Sequence, residues 1–529
     1  TISAVRTDET TQKCVPAFAS DTKNLKFWTN YSDPASGTQQ VTLNHDTTDY
    51  LLPTSEPGGT NVPVQFDANA DSTFTLTYPD AGKLTLNAKY EGSGDDAGLT
   101  MVGNDTYVTK PARLYVYSDD TNADCPSGDA SCSLYTAAGN NFNLKVRGAC
   151  ADTSLTPNFQ LDNISLSHNL VAPAGGDAGA INVTSFDISD ADNGEHLINN
   201  QTVSEVGVFT FTASLAGVDY FDETTIGDTT LNTSENIGRF SPHHFDVTAT
   251  EACNGAFTYS GQPFTVTVDA LNLGGNPTRN YRNSFVRDPV ISNAGDTANF
   301  TNNTLDTGYF TTNDGIGVRN DVTYTFASKE TAPLAINELR ATDSDGIDSD
   351  GYTEGQVNIR SGRIALDNAY GTELADLQVP MFAQYYDGSD FVTNTLDVCD
   401  NGVTIDLLNP TDTVTVGDGD TRGETCVQDT GDPGDSDSGC AFAAPDTDIQ
   451  YTDTPDDGLY TLYLKAPDSD AGFDPNNPIY GNVTVRANTP GYLQDDWDGD
   501  GSEEEPEATA TFGRYRGDDR IIYWRERFQ

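Results

Sequence analysis

Apolar and polar residues alternate with a period of two along most of this chain, and a helical period of 3.6 is sustained almost nowhere. Thr73-Phe74-Thr75-Leu76-Thr77-Tyr78 and Lys83-Leu84-Thr85-Leu86-Asn87-Ala88-Lys89-Tyr90 flank Pro79-Asp80-Ala81-Gly82, residues that suit a turn between two strands. The same alternation predicts strands over 141–147, 206–213, 263–271, 322–327, 459–466 and 482–487. Each puts apolar side chains on one face and Thr, Asn or Lys on the other, as a half-solvated antiparallel sheet requires. The predicted class is all-β: tandem antiparallel β-sandwich domains, Ig-like, in an elongated chain.

An internal repeat divides the chain. Lys110-Pro111-Ala112-Arg113-Leu114-Tyr115-Val116 leads past a cysteine into Asn141-Phe142-Asn143-Leu144-Lys145-Val146. Ser241-Pro242-His243-His244-Phe245-Asp246-Val247 leads past another into Pro263-Phe264-Thr265-Val266-Thr267-Val268. The strand cores lie 28 residues apart in the first copy (Leu114 to Phe142) and 19 in the second (Phe245 to Phe264). The excess is assigned to a loop closed by Cys125 and Cys132. The predicted domains are 1–108, 109–238, 239–350 and 351–529, stacked as a rod.

Charge narrows the partners. Across 529 residues, 27 Lys and Arg against 81 Asp and Glu give a net charge of −54. That excludes a general nucleic-acid or anionic-membrane surface, which needs clustered cations, and favours divalent metal ions. No apolar run is long enough to span a membrane. No signal peptide is visible and Thr1 is not an initiator, as expected of a mature or trimmed form. Eight cysteines without a C-x-x-C motif predict disulfides made in an oxidising compartment. Cys125–Cys132 and Cys426–Cys440 are the expected local pairs. Cys14, Cys150, Cys253 and Cys399 stay unassigned, and the Gly- and Asp-rich stretch 417–440 reads as an exposed loop.

Two acidic stretches carry candidate chemistry. Asp496, Asp498, Asp500, Gly501, Ser502 and Glu507 fit the D-x-D-x-D-G-x₅-E spacing of a twelve-residue calcium loop. A hard Ca2+ ion wants six to eight oxygens, and the glycine permits the sharp turn. Pro506 and the β-like run after it argue against flanking helices, so an EF-hand domain is not expected. Asp343, Asp345, Asp348, Asp350 and Glu354 form a looser set, with Ile347 where a regular loop has a ligand. Hydrated acidic turns are the alternative for both. After the first loop, Ile521-Ile522-Tyr523-Trp524 predicts a closing strand buried on both faces.

Enzyme signatures do not occur: there is no H-E-x-x-H, G-x-S-x-G or P-loop, and only five histidines. His243 and His244, adjacent at a strand start, should face opposite ways. Tyr385-Tyr386-Asp387-Gly388 and Trp497 could stack on sugar rings or simply pack the sheets.

Gly362-Arg363-Ile364-Ala365-Leu366-Asp367-Asn368-Ala369-Tyr370-Gly371-Thr372-Glu373-Leu374 resembles a stretch of the MshQ-like proteins of mannose-sensitive haemagglutinin type IV pilus clusters. So do Phe240-Ser241-Pro242-His243-His244-Phe245, Phe257-Thr258-Tyr259-Ser260-Gly261-Gln262-Pro263-Phe264 and Phe512-Gly513-Arg514-Tyr515-Arg516-Gly517-Asp518-Asp519-Arg520-Ile521-Ile522-Tyr523-Trp524-Arg525-Glu526. The resemblance implies a secreted, surface-associated protein of a Gram-negative bacterium and supplies no catalytic residues. Family members often carry a concanavalin-like module upstream, which this sequence does not show. The expected function is non-enzymatic: adhesion, or a minor, tip or assembly role at a pilus, with pilus or other cell-surface proteins as partners. The alternatives are a filament subunit joined to copies of itself by strand addition, and a secreted protein that binds or hydrolyses a surface glycan.

Overall fold

The computed structural model describes residues 1–214, 219–221, 224–225, 232–312, 314–372, 375–408, 415–416, 425–429, 447–464 and 479–512. Among them, strands and three-residue 3-10 turns are the regular elements, and no α-helix occurs. Among the described residues, no helix is long and apolar enough to cross a membrane. The protein is all-β. Two compact units divide it, one built mainly from Thr1–His243 and the other from His244–Asp269, Val286–Thr312 and Ile316–Gln529.

In the first unit, Thr100–Thr109, Gly82–Glu91, Thr22–Asp33 and Thr60–Gln65 form one sheet, in that order. Thr48–Leu52, Val41–His45 and Thr75–Thr77 form the facing one. Alternate residues Leu25, Phe27, Val41, Leu43, Val62 and Val64 are buried together, so the period of two becomes a two-layer core. The turn at 79–82 does not make a hairpin: Thr75–Thr77 pairs with Val41–His45, whereas Gly82–Glu91 pairs with Thr22–Asp33 and Thr100–Thr109. The connection therefore crosses from one sheet to the other. A second sandwich sets Arg113–Tyr117, Phe142–Ala149 and Glu195–Gln201 against a five-stranded sheet that includes Leu161–Ala172 and Gly207–Ser214. Phe142, Leu144, Val146, Phe209 and Phe211 fill it. Phe209 is fully buried, and truncating such a ring to Ala typically costs about 3–5 kcal/mol.

The second unit repeats this plan. His244–Thr250, Phe264–Leu271, Ile316–Tyr324 and Phe300–Thr301 form one sheet, and Thr258–Tyr259, Gly355–Arg360, Leu334–Thr342 and Val290–Asn293 the other. The strand expected from Val322 begins at Ile316. A register shift opposite Phe264–Val266 interrupts the alternation there and hides the start of the strand. After it, Gly362–Leu366 pairs with Met381–Tyr386, and Ile479–Asn488 with Glu507–Phe512.

A parallel pairing recurs. Thr136–Ala137 lies parallel to Phe240–Ser241, Thr258–Tyr259 to Ile359–Arg360, and Ala369–Gly371 to Ala510–Phe512. In each case a short early strand closes against a late one.

Cys125 and Cys132 are joined, as the sequence predicts. Cys253 and Cys399, 146 residues apart, form a second disulfide. It lies in a core with Phe257, Tyr259, Ile364 and Leu462. Beside it, the fully buried Asp397 accepts hydrogen bonds from the Tyr259 hydroxyl at 2.6 Å, the Asn401 amide at 3.0 and 3.2 Å and the Cys399 backbone N–H at 3.2 Å. Burial raises the Asp397 carboxyl above the usual carboxylate range, against the pull of these donors. Cys14 and Cys150 are free thiols. Cys440, the loop at 417–440 beyond its short strand Thr425–Asp429, and the expected strand at 521–526 lie outside the described residues.

Candidate metal centre

The first acidic loop is tied at its base. Asp495 and Glu504 exchange backbone hydrogen bonds of 3.3 and 2.9 Å, which closes the intervening residues into a ring. Buried Leu493 precedes the loop, and the strand Glu507–Phe512 comes after it. Arg363 holds one flank: its Nη1 meets Asp495 Oδ2 at 2.6 Å and its Nε donates to Gln384 Oε1 at 2.9 Å. The guanidinium lies over Phe391 at 3.8 Å and over Trp497 at 4.7 Å. A flat, delocalised cation suits this place because a lysine could not stack on both rings.

Inside the ring, Gly499 and Gly501 take φ of 80° and 93°, left-handed values that would strain a residue with a Cβ. Those turns fold the chain so that Asp496 accepts from the Gly499 and Gly501 N–H groups at 2.8 and 3.0 Å. Asp498 accepts from Asp500 N–H at 3.0 Å, and Asp500 from Ser502 N–H at 2.8 Å. Carboxylate oxygens of Asp496, Asp498, Asp500 and Glu504 thereby lie within 4.8 Å of one another. Four carboxylates at that spacing repel one another unless a cation joins them. The donors are all hard oxygens, which fits Ca2+ and not the softer transition metals.

The spacing thus placed three of the four gathered carboxylates. The fourth is Glu504, not Glu507, which lies on the next strand and is paired with Arg486. Ser502 contributes its N–H to Asp500. The spacing did not point to Glu504, whose N–H and C=O close the ring against Asp495 and so place its side chain beside the three aspartates.

The second acidic stretch is arranged differently. Asp343 accepts from the Asp345 and Ile347 N–H groups at 2.9 and 3.0 Å, and Asp348 from Asp350 N–H at 3.2 Å. Arg340 takes Asp350 at 2.9 Å and Glu354 at 2.6 Å, while Arg287 faces Asp345 at 3.4 Å. Arginines distribute these charges, and Asp343, Asp345, Asp348, Asp350 and Glu354 form no cation-sized cluster among the described residues. His244 stacks on Tyr352 at 3.8 Å. Tyr386 packs edge-on against Phe391, and Arg360 covers Tyr385.

Four family models fall on the chain in order. The first Ig-like domain of DUF6701 matches residues 1–104, the second domain 110–199, the third 205–372 and the fourth 360–527. DUF6701 domains cover the chain. The Cys253–Cys399 bridge accordingly joins the third DUF6701 domain to the fourth, and the acidic ring belongs to the fourth. No curated protein matches the sequence. Among solved structures, the I9–I11 tandem of titin is 8% identical, with 71% of this chain and 94% of that one covered and a TM-score of 0.21. The human desmocollin-1 ectodomain is 11% identical, with 93% and 72% covered and a TM-score of 0.17. Trypsin-activated alpha-2-macroglobulin from Escherichia coli is 11% identical, with 94% and 32% covered and a TM-score of 0.15. The chain spans about a third of the length of that macroglobulin.

Proposed function

We propose that this protein is a non-enzymatic, secreted component of the Gram-negative cell surface, associated with an MSHA-like type IV pilus and acting in adhesion or as a minor, tip or assembly component. The observation that carries the reading is the series of DUF6701 domains, Ig-like at its start, stapled by Cys125–Cys132 and Cys253–Cys399. Disulfides of this kind persist outside the reducing cytosol. The resemblance to MshQ-like proteins supplies the pilus, and the four sandwiches proposed span 1–108, 109–238, 239–350 and 351–529. Ca2+ held by Asp496, Asp498, Asp500 and Glu504 would stiffen the last of them, because binding energy given only to the closed ring adds to folding stability.

Gold-labelled antibody against the folded chain, applied to intact cells, should mark pili along their length or at their tips. Labelling that appears only after the outer membrane is opened would sink the surface assignment. A second reading, self-association by strand addition, is favoured by Thr100–Thr109. This ten-residue strand ends its sheet and leaves Val102 75% exposed.

A further inference from the structure

Within the second unit, beside the acidic ring, a cavity of about 310 Å³ is lined by Ser260, Thr325, Lys329, Ser361, Tyr492 and Glu503, the ring residue before Glu504, among others. Its groups are polar but not uniformly charged. Lys329 Nζ donates to the carbonyl oxygens of Gly362 at 3.2 Å and Tyr492 at 2.9 Å, which leaves the ammonium a third N–H. Ser260 Oγ accepts from Phe326 N–H at 2.8 Å and keeps its own proton to give. Ser361 is 1% exposed, yet its Oγ has no hydrogen-bond partner. A buried hydroxyl without a partner costs free energy, and native proteins rarely keep one without a use. Tyr492 supplies an aromatic wall, its ring backed by Tyr259 at 6.4 Å. Glu503 is exposed and offers an acceptor.

The charge balance selects the ligand. A net charge of −54 repels anions. The ammonium of Lys329 repels cations, and the lining of hydroxyls, ammonium and carboxylate does not suit an apolar molecule. A neutral ring bearing several hydroxyls, each both donor and acceptor, satisfies every group. Burial pulls the Lys329 ammonium below the ordinary lysine range, opposed by Glu503 and Asp495, so a hydroxyl that takes its third N–H also restores lost solvation.

We propose that this cavity binds one neutral hexopyranose unit of a glycan. Lys329 and Ser361 donate to the sugar's hydroxyl oxygens, Glu503 accepts from a sugar hydroxyl, and the Tyr492 ring faces the sugar's C–H surface. The inference does not rest on pilus association, and of the acidic ring it uses Glu503 and none of the four gathered carboxylates. It can be tested on the full chain by saturation-transfer NMR and calorimetry with the methyl glycosides of glucose, galactose, mannose and N-acetylglucosamine. At least one should bind the wild type, and Glu503→Gln and Ser361→Ala should each weaken it tenfold or more. Ser361→Ala should also melt at or above the wild-type temperature, because it removes an unpartnered hydroxyl. Binding should survive EDTA. Failure of all four glycosides to bind, equal binding by wild type and both variants, or loss of binding on chelation would overturn the proposal.

Discussion

Removing the Cys253–Cys399 bridge should destabilise the protein far more than removing Cys125–Cys132. In the chain-entropy account a cross-link stabilises by restricting the unfolded ensemble, and the effect grows with the logarithm of the loop it closes. A separation of 146 residues corresponds to about 5 kcal/mol, and one of 7 residues to about 2.4 kcal/mol. Packing adds to the contrast: Cys253 is fully buried and Cys399 nearly so in a core with Phe257, Tyr259 and Leu462, whereas Cys132 is only half-buried. The Cys253→Ala/Cys399→Ala variant should therefore lose at least about 2.5 kcal/mol more than Cys125→Ala/Cys132→Ala. Urea melts of the two double variants under non-oxidising conditions, followed by intrinsic fluorescence, measure the difference. Because the longer bridge ties the third DUF6701 domain to the fourth, its loss should also split the melt of that part of the chain into two transitions. Equal losses in the two variants would refute the reasoning and place Cys399 next to Cys253 without a structural role.

Calcium at a hundredfold excess over Kd should raise stability by about 2.7 kcal/mol. Asp498→Ala and Glu504→Gln should abolish the gain and Glu507→Gln should keep it, and a wild-type melt indifferent to chelation would end the calcium reading. Asp397, held above the usual carboxylate range by burial, favours folding most when protonated, so its contribution is full below the unfolded value and is lost as pH rises through the folded one. Wild type should therefore gain on the Asp397→Asn variant as pH falls from about 7 towards the unfolded value of about 3.9, and a flat difference across urea melts in that window would contradict the shift. Arg363→Lys should cost about 2 kcal/mol through the lost stack and the weakened Asp495 bond, and should weaken calcium binding in a titration. An unchanged melt would mean that Arg363 does not anchor the loop.

Where a physical rule acts over a few residues, this chain could be read directly. The alternation of Phe142, Leu144 and Val146, or of Phe264, Val266 and Val268, becomes buried faces because successive strand residues point to opposite sides. Cys125 and Cys132 find each other because the six residues between them, with a proline and a glycine, can turn back. The register shift before Val322 and the Cys253–Cys399 bridge depend on partners far along the chain, and no local pattern encodes a partner. The same holds at the acidic ring. Asp496, Asp498 and Asp500 were legible from spacing, but Glu507 was drawn away by Arg486, a residue on a neighbouring strand. Arg363 reaches Asp495 across 132 residues, and nothing near either residue announces it.

The recurring parallel closure has a mechanical meaning. In a sandwich whose early strand runs beside its late one in the same direction, tension on the two ends slides the pair lengthwise, and its hydrogen bonds are strained together. An antiparallel terminal pair under the same pull would open one bond at a time, like a zip. The pairs at Thr136–Ala137, Thr258–Tyr259 and Ala369–Gly371 are only two or three residues long. With the Cys253–Cys399 bridge intact, tension passes residues 254–398 by, so the Thr136–Ala137 clasp sets the force threshold with its handful of bonds, and reducing the bridge would bring the other two clasps under load.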